Sequence, residues 1–288
     1  MIASSSAVGR VLVGPAFLLA VLSAGTAAPV HAQDRPFPYA LGKQDLIMVP
    51  AGIGLAALGI ALRDATDPIT LTELARLRRD DVNWFDRTAT GNWSESWGDR
   101  SDEYRNLAVG TTFLTLGFEG AGSLLKGRPG DGATLAVMLG ELYTFLLGTS
   151  YTTKALVGRK RPYAFNPGMT LEEKYQIASS DGNDVFFSFF SGHATSAFAA
   201  ATFTSTVFTD LFGTSRWSHL VWGSTLTLAG MTAYSRVKAG QHYPSDVIVG
   251  AAVGSAIGYL VPRLHRVDAD GRVSMVLGPN RVGFQVRF

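Results

Sequence analysis

The stretch Ser235-Arg236-Val237-Lys238-Ala239-Gly240-Gln241-His242-Tyr243-Pro244-Ser245-Asp246 sets a cation, an imidazole and a carboxylate close together, between two apolar segments. Pro244 suits the first turn of a helix, where its missing N–H costs nothing, so His242 is expected just ahead of a helix start. Asp246, four residues on, can reach back to one imidazole nitrogen and leave the other free as a nucleophile or base. Alone, a His-x-x-x-Asp pattern serves equally as a structural helix-start cap. Two further stretches add chemistry. In Lys154-Ala155-Leu156-Val157-Gly158-Arg159-Lys160-Arg161-Pro162, Lys154 and Arg161 are seven apart and share one face of a helix that Pro162 would end. In Ser188-Phe189-Phe190-Ser191-Gly192-His193, a small Ser-Gly turn before a helix offers unpaired N–H groups at the positive end of the helix dipole. His193 there can exchange a proton with whatever the bound anion is attached to.

Together these stretches supply Lys154, Arg161 and Arg236 as cations, with helix-start amides and two histidines. Their shared chemistry is capture of a tetrahedral oxyanion, one histidine attacking and the other protonating the leaving group. At this point the chain resembles the type 2 phosphatidic acid phosphatase superfamily, which also contains the vanadium haloperoxidases and bacterial acid phosphatases. That family's signature is Lys-x6-Arg-Pro, Pro-Ser-Gly-His and Ser-Arg-x5-His-x3-Asp. Lys154 to Pro162 and Ser235 to Asp246 match in full, while Phe190-Ser191-Gly192-His193 matches except for the proline. The signature lies in 154–246, and the apolar framework extends the likeness to about 106–263.

The resemblance implies a role for each matched position. Lys154, Arg161 and Arg236 would hold phosphate oxygens, with Ser191 and the Gly192 amide. His242 would attack phosphorus to give a phosphohistidine, with Asp246 fixing its tautomer. His193 would protonate the leaving alkoxide and then activate water. Neither metal nor cofactor is implied, in keeping with a chain that has no Cys and no His-rich ligand cluster.

The elements that must position these groups are apolar. Hydrophobic residues make up 47% of the 288 and charged residues only 17%, with mean hydropathy +0.16. The net charge of +2, with no long basic run, argues against a nucleic-acid partner. Apolar runs at 106–125, 134–152, 194–212, 218–234 and 246–262, with a Gly- and Ala-rich run at 46–62, predict an all-α, membrane-embedded bundle of five to six helices. This bundle is assigned to 106–263. Residues 1–32 read as a signal peptide: Arg10, an apolar Val11 to Ala24, and a Val30-His31-Ala32 cleavage site. Residues 33–105 then hold the 46–62 helix and a polar segment with Trp84, Trp93 and Trp97, read as a packed loop rather than a lipid entrance. In the 264–288 tail, alternation in Arg281 to Phe288 about Gly278-Pro279-Asn280 predicts a β-hairpin. Glu119 and Glu141, inside apolar runs, read as interhelical hydrogen-bonding groups, and His219 and His265 as incidental.

Lys126, Arg128, Arg216, Arg263 and Arg266 mark one set of helix ends as cytoplasmic by the positive-inside rule. Lys154, His193, Arg236 and His242 then emerge on the opposite, periplasmic face of a bacterial inner membrane. A cleaved signal requires 46–62 not to span; a full six-span bundle requires residues 1–45 to stay cytoplasmic. The expectation adopted is a cleaved signal and a non-spanning 46–62. The expected activity is metal-independent hydrolysis of a lipid phosphate monoester or diphosphate, with membrane lipids as surroundings. The alternatives are a soluble periplasmic acid phosphatase, a vanadium-dependent haloperoxidase and a lipid-binding scaffold.

Overall fold

The computed structural model describes residues 36–180, 184–267, 273–278 and 281–286; the expected signal peptide lies outside them. Eight α-helices are seen among these residues: α1 (Asp45–Asp64), α2 (Leu71–Arg76), α3 (Glu95–Leu125), α4 (Pro129–Val157), α5 (Leu171–Ser180), α6 (Gly192–Phe212), α7 (Arg216–Lys238) and α8 (Pro244–His265). Two strands, β1 (Val273–Gly278) and β2 (Arg281–Val286), pair antiparallel, Val273 opposite Val286.

Local chemistry sets the helix ends. Ser94 accepts from the Trp97 N–H to start α3, and Ser215 with Ser218 makes a capping box for α7. Pro129 and Pro244 occupy first-turn positions of α4 and α8. Gly158 and Gly240, at φ 59 and 70, end α4 and α7 in the left-handed region. Gly240 also meets a steric limit, since a Cβ there would sit 2.2 Å from the Asn92 carbonyl oxygen.

The boundary expected at 105/106 falls inside α3. Hydropathy marks only where that helix turns apolar; Ser94 caps it eleven residues earlier, so three polar turns precede the apolar part. Three segments are long and apolar enough to cross a membrane, Asp45–Asp64, Pro129–Phe165 and Pro244–His265, against the five to six expected. α3, α6 and α7 fall short because polar turns, threonines and serines dilute their apolar runs.

α6 is the central helix. Its Ala199, Phe203 and Val207 join Leu135, Met138, Leu139, Leu142 and Leu146 of α4 and Val261 of α8 in the main core. A glycine row on α8 lets the α6 backbone come close: a Cβ would stand 2.8 Å from the Ser191 oxygen at Gly250, 2.1 Å from the Thr195 oxygen at Gly254 and 2.4 Å from the Ala199 oxygen at Gly258. Both helices are rigid, so no flexible atom can yield. Gly254→Ala is expected to destabilise by about 2–3 kcal/mol through overpacking. Gly223→Ala on α7, with nothing within 4 Å, should be neutral. Thermal unfolding of both variants in detergent checks this, and equal melting points would contradict the close-packing account.

α1 does not lie across the bundle. Gly52 faces Thr144 and Phe145, while Gly59 faces Tyr151 and Thr152, so α1 runs parallel to α4. The Thr152 hydroxyl donates to the Leu55 carbonyl at 2.8 Å. Leu46, Ile47, Ile53, Leu58 and Ile60 remain exposed on α1, an apolar outer surface of the kind lipid tolerates and water does not.

Candidate active site

All three motif stretches meet at the end of the bundle where α4 and α7 finish and α6 and α8 begin. The links between them are pinned to one another by backbone hydrogen bonds. Arg161 N donates to the Val185 oxygen at 2.8 Å, Ser188 N to the Arg159 oxygen at 2.9 Å, Tyr163 N to the Gly240 oxygen at 3.1 Å and Ser191 N to the Asp246 oxygen at 3.1 Å. Two loop regions cover this end. Ile69 and Leu74 pack with Tyr163, Ala178 and Val185, and Val82 and Ala89 pack with Tyr243. Trp93 packs edge-on to Tyr163 and Trp97 to Tyr234, whereas Trp84 is 82% exposed.

Beneath this cover lies a cavity of about 450 Å³ lined by Lys154, Arg161, Gly192, His193, Arg236 and His242. Six of the eight expected site residues therefore share one wall-to-wall space. The other two, Ser191 and Asp246, are buried just behind it. Ser191 is the N-cap of α6, its Oγ accepting from the Ala194 N–H at 3.4 Å, which directs the first α6 amides toward the cavity.

His242 is oriented differently from expectation. Its Nδ1–H donates to the Ser188 carbonyl at 2.8 Å, and Asp246 Oδ2 stands farther away, at 3.6 Å. The reason is competition for Asp246. Its Oδ2 accepts from the Ser188 hydroxyl at 2.5 Å and the Tyr243 N–H at 2.9 Å, and its Oδ1 takes Arg159 at 2.5 Å. Asp246 thus caps α8 and holds the Ser188 turn, and the Ser188 carbonyl fixes the tautomer. Either way, Nε2 is left as the unprotonated nitrogen on the cavity side. Burial, then the Arg161, Arg236 and Lys154 charges, hold His242 well below the usual imidazole range, so the ring is neutral at physiological pH.

His193 carries a partner that the motifs do not contain. Its Nε2 lies 2.6 Å from Asp102 Oδ1, on the polar beginning of α3, and Arg105 lies 3.7 Å from the same oxygen. Burial pushes His193 down to about 4; the hydrogen bond to Asp102 opposes this, and Arg236 and Arg105 reinforce it. Asp102 is itself held below the usual carboxylate range, first by the bond to His193.

The cations differ in freedom. Arg161 is committed to Asp184 and Gln241, and Asp184 also faces Arg63 at 3.5 Å. Among the described residues Lys154 and Arg236 have no acidic partner, and the buried Arg236 Nε has no hydrogen-bond acceptor. Such groups lower their energy by taking an anion. Arg159, at a variable position of its motif, bridges Asp246, Ser245 and Asp86. Sequence reasoning missed Asp86, Asp102 and Arg159. Only the placement of Asp102 and Arg105 on a capped helix start could have signalled any of them.

The cavity's far wall is apolar, made by Val109, Tyr143, Leu146 and Leu147 between α3 and α4. Leu147 is half exposed, so this wall reaches the outside of the bundle.

Comparison with known proteins agrees with the motifs. A 79-residue stretch is 34% identical to a lipid A 4'-phosphatase of Porphyromonas gingivalis, covering 27% of this chain and 30% of that protein. The chain thus spans under a third of that curated relative. A crystal structure of a transmembrane PAP2 type phosphatidylglycerolphosphate phosphatase from Bacillus subtilis aligns with TM-score 0.37 and 20% identity, over 75% of this chain and 90% of that one. Residues 133–269, which contain all three motifs, match the model of the PAP2 superfamily.

Proposed function

We propose that the chain is a membrane-embedded phosphatase that hydrolyses a lipid phosphate through a phosphohistidine. The observation that carries this reading is the single cavity in which neutral His242, His193, unpaired Lys154 and Arg236, and an apolar wall converge. The phosphate would sit against Lys154, Arg161, Arg236 and the α6 amides. His242 Nε2 would attack phosphorus: the N–P bond forms, the ester P–O bond breaks, and the leaving alkoxide takes a proton from His193. Water, deprotonated by His193, then attacks phosphorus, releasing phosphate and restoring His242. An arriving phosphate dianion raises the proton affinity of His193 against the arginines, so protonation of the acid accompanies substrate binding. The apolar wall, open between α3 and α4, suits an acyl-chain leaving group.

Topology supports an outward-facing site. α1 runs parallel to α4, so Asp45 lies at the end that bears Arg128, Arg216 and Arg266. If all six long helices cross, residues preceding α1 and the basic links share the cytoplasmic side and the cavity opens to the periplasm. In that six-span alternative 46–62 crosses and residues 1–45 stay cytoplasmic, and the length and apolarity of α1 support it.

The test is phosphate release by the detergent-purified chain from lipid A phosphate, phosphatidylglycerol phosphate, phosphatidic acid and undecaprenyl diphosphate, with EDTA, beside a His242→Ala control. Release from at least one lipid is expected. Activity on soluble esters alone, from protein extracted without detergent, would replace the lipid reading with a soluble phosphatase. Silence on every ester, together with vanadate-dependent halide oxidation, would overturn phosphatase activity altogether.

Asp102 gives this proposal a pH signature. Asp102→Asn removes the hydrogen-bonded charge that raises the His193 pKa, so the pKa falls further. A general acid works protonated, so the alkaline limb of the kcat profile should move to lower pH, by about one unit. A variant that only loses activity uniformly, with the limb in place, would show that Asp102 supports structure alone.

A further inference from the structure

At the opposite end of the bundle, Asp45 of α1, Glu141 of α4 and His265 of α8 bring one oxygen or nitrogen each within 4.8 Å of one another. Glu141 and His265 are fully buried. His265 Nε2 stands 3.0 Å from Asp45 Oδ1 and 3.3 Å from Glu141 Oε2. Despite these distances, Asp45 Oδ1, both Glu141 oxygens and His265 Nε2 find no donor with both carboxylates ionised; only a proton shared between Glu141 and Asp45 would supply one. Glu141 faces Asp45 of α1 and His265 of α8, so its polar contacts are interhelical, and a proton shared with Asp45 would bond the two carboxyls.

The atoms facing away from the cluster are, by contrast, engaged. His265 Nδ1 lies 2.8 Å from the Val261 carbonyl, which can only accept, so Nδ1 carries the proton and Nε2 presents a lone pair. Asp45 Oδ2 accepts the Gly42 N–H at 2.6 Å, leaving Oδ1 inward. Outer contacts that aim one atom of each side chain at a common point are the arrangement found around bound metals. Among the described residues the carboxylates have no Lys or Arg within ion-pair distance. Two carboxylates crowded against a neutral imidazole are costly away from water unless a retained proton or a bound cation balances them.

We infer that Asp45, Glu141 and His265 bind one divalent cation of the zinc class, as a structural clamp joining α1, α4 and α8. The mixed nitrogen and oxygen donors suit zinc or a neighbouring first-row ion rather than calcium or magnesium, which favour oxygen alone. Donors about 2.0–2.2 Å from one tetrahedral ion stand roughly 3.3–3.6 Å apart, so the 3.0 and 3.3 Å spacings from His265 need to open only slightly. The ion would also secure the segment before α1, where Ala40 N donates to the His265 oxygen and Val267 N to the Pro38 oxygen, each at 2.8 Å. His265 lies nineteen residues along α8 from Asp246, about 28 Å of helix, so the clamp is remote from the phosphate-binding groups. It stands whether or not the phosphatase reading holds.

The experiment is elemental analysis of the full chain purified in detergent, without chelators or metal-affinity resin. About one zinc-class ion per chain is expected, falling at least tenfold in Glu141→Gln and His265→Ala. Stripping with a strong chelator should lower the wild-type melting point by about 5 °C, and zinc should restore it. Cobalt added to stripped wild type should give visible absorption, a readout that needs no variant to fold. A wild type that purifies without metal and shows neither a zinc-dependent melting shift nor cobalt absorption would overturn the site, leaving a cluster that shares protons.

Discussion

His242→Ala is expected to lower phosphate release by about 10⁴-fold or more while the chain still folds. The size follows from the role: if Nε2 makes the bond to phosphorus, no other described group in the cavity can replace it. His193 is held by Asp102, and Lys154, Arg161 and Arg236 would be occupied with the phosphate oxygens. The fold survives because the loss is local and neutral. The ring is buried and makes one hydrogen bond, to the Ser188 carbonyl, a contact worth about 1 kcal/mol. Asp246 keeps its Arg159, Ser188 and Tyr243 partners without the imidazole. His193→Ala should slow turnover too, but it should also let a phosphorylated His242 accumulate if water activation limits its hydrolysis. Trapping that species by acid-labile label or phosphorus NMR, absent in His242→Ala, separates a nucleophile from a residue that only positions substrate. Wild-type turnover rates in His242→Ala would end the phosphohistidine reading.

What the sequence made legible is the part of the site encoded in short spacings. Lys154 and Arg161, Ser191 to His193, and Arg236 to Asp246 each lie within a few residues of a helix end, so local rules for caps and dipoles already aim them at one place. The less legible groups are those whose partners are distant in the chain. Asp102 meets His193 across 91 residues and Asp86 meets Arg159 across 73, and no periodicity links them. Hydropathy also hid the start of α3, because caps and propensity rather than apolarity set where a helix begins. The direction of α1 was equally hidden: Gly52 and Gly59 permit close packing, but only the pairing with Thr144 and Tyr151 shows it parallel to α4. His265 looked incidental for the same reason, its companions lying at 45 and 141.

Arg159→Ala should be among the most destabilising single changes in the chain, although Arg159 does not line the cavity. Its guanidinium donates to Asp246 Oδ1 at 2.5 Å, Ser245 Oγ at 2.8 Å and Asp86 Oδ2 at 2.7 Å, and lies over the Tyr243 ring, 4.0 Å from its centroid. Both carboxylates are buried, so deleting the cation leaves two charges short of compensation. Removing one partner of a buried pair costs about 3–5 kcal/mol; Arg159 is itself partly exposed, which places the expected loss near the lower figure. Arg159→Lys should recover only part of it, because an ammonium cannot span both carboxylates. The pH dependence identifies the cause. Burial raises the Asp86 pKa, but bonds from Asn83, Arg159 and Ser245 outweigh this and hold it below the usual 3.8. A depressed carboxylate stabilises the fold above its unfolded pKa, and that stability fades as pH falls through the folded value. The wild type therefore loses this contribution in acid, whereas Arg159→Ala lacks much of it already. The gap between their melting points should be widest near neutrality and narrow below about pH 4. A gap that stays constant with pH would assign the loss to packing on Tyr243 instead. Turnover should fall about 100-fold with stability, because Asp246 anchors the Ser188 turn whose carbonyl orients His242, and a small misplacement of a nucleophile is costly.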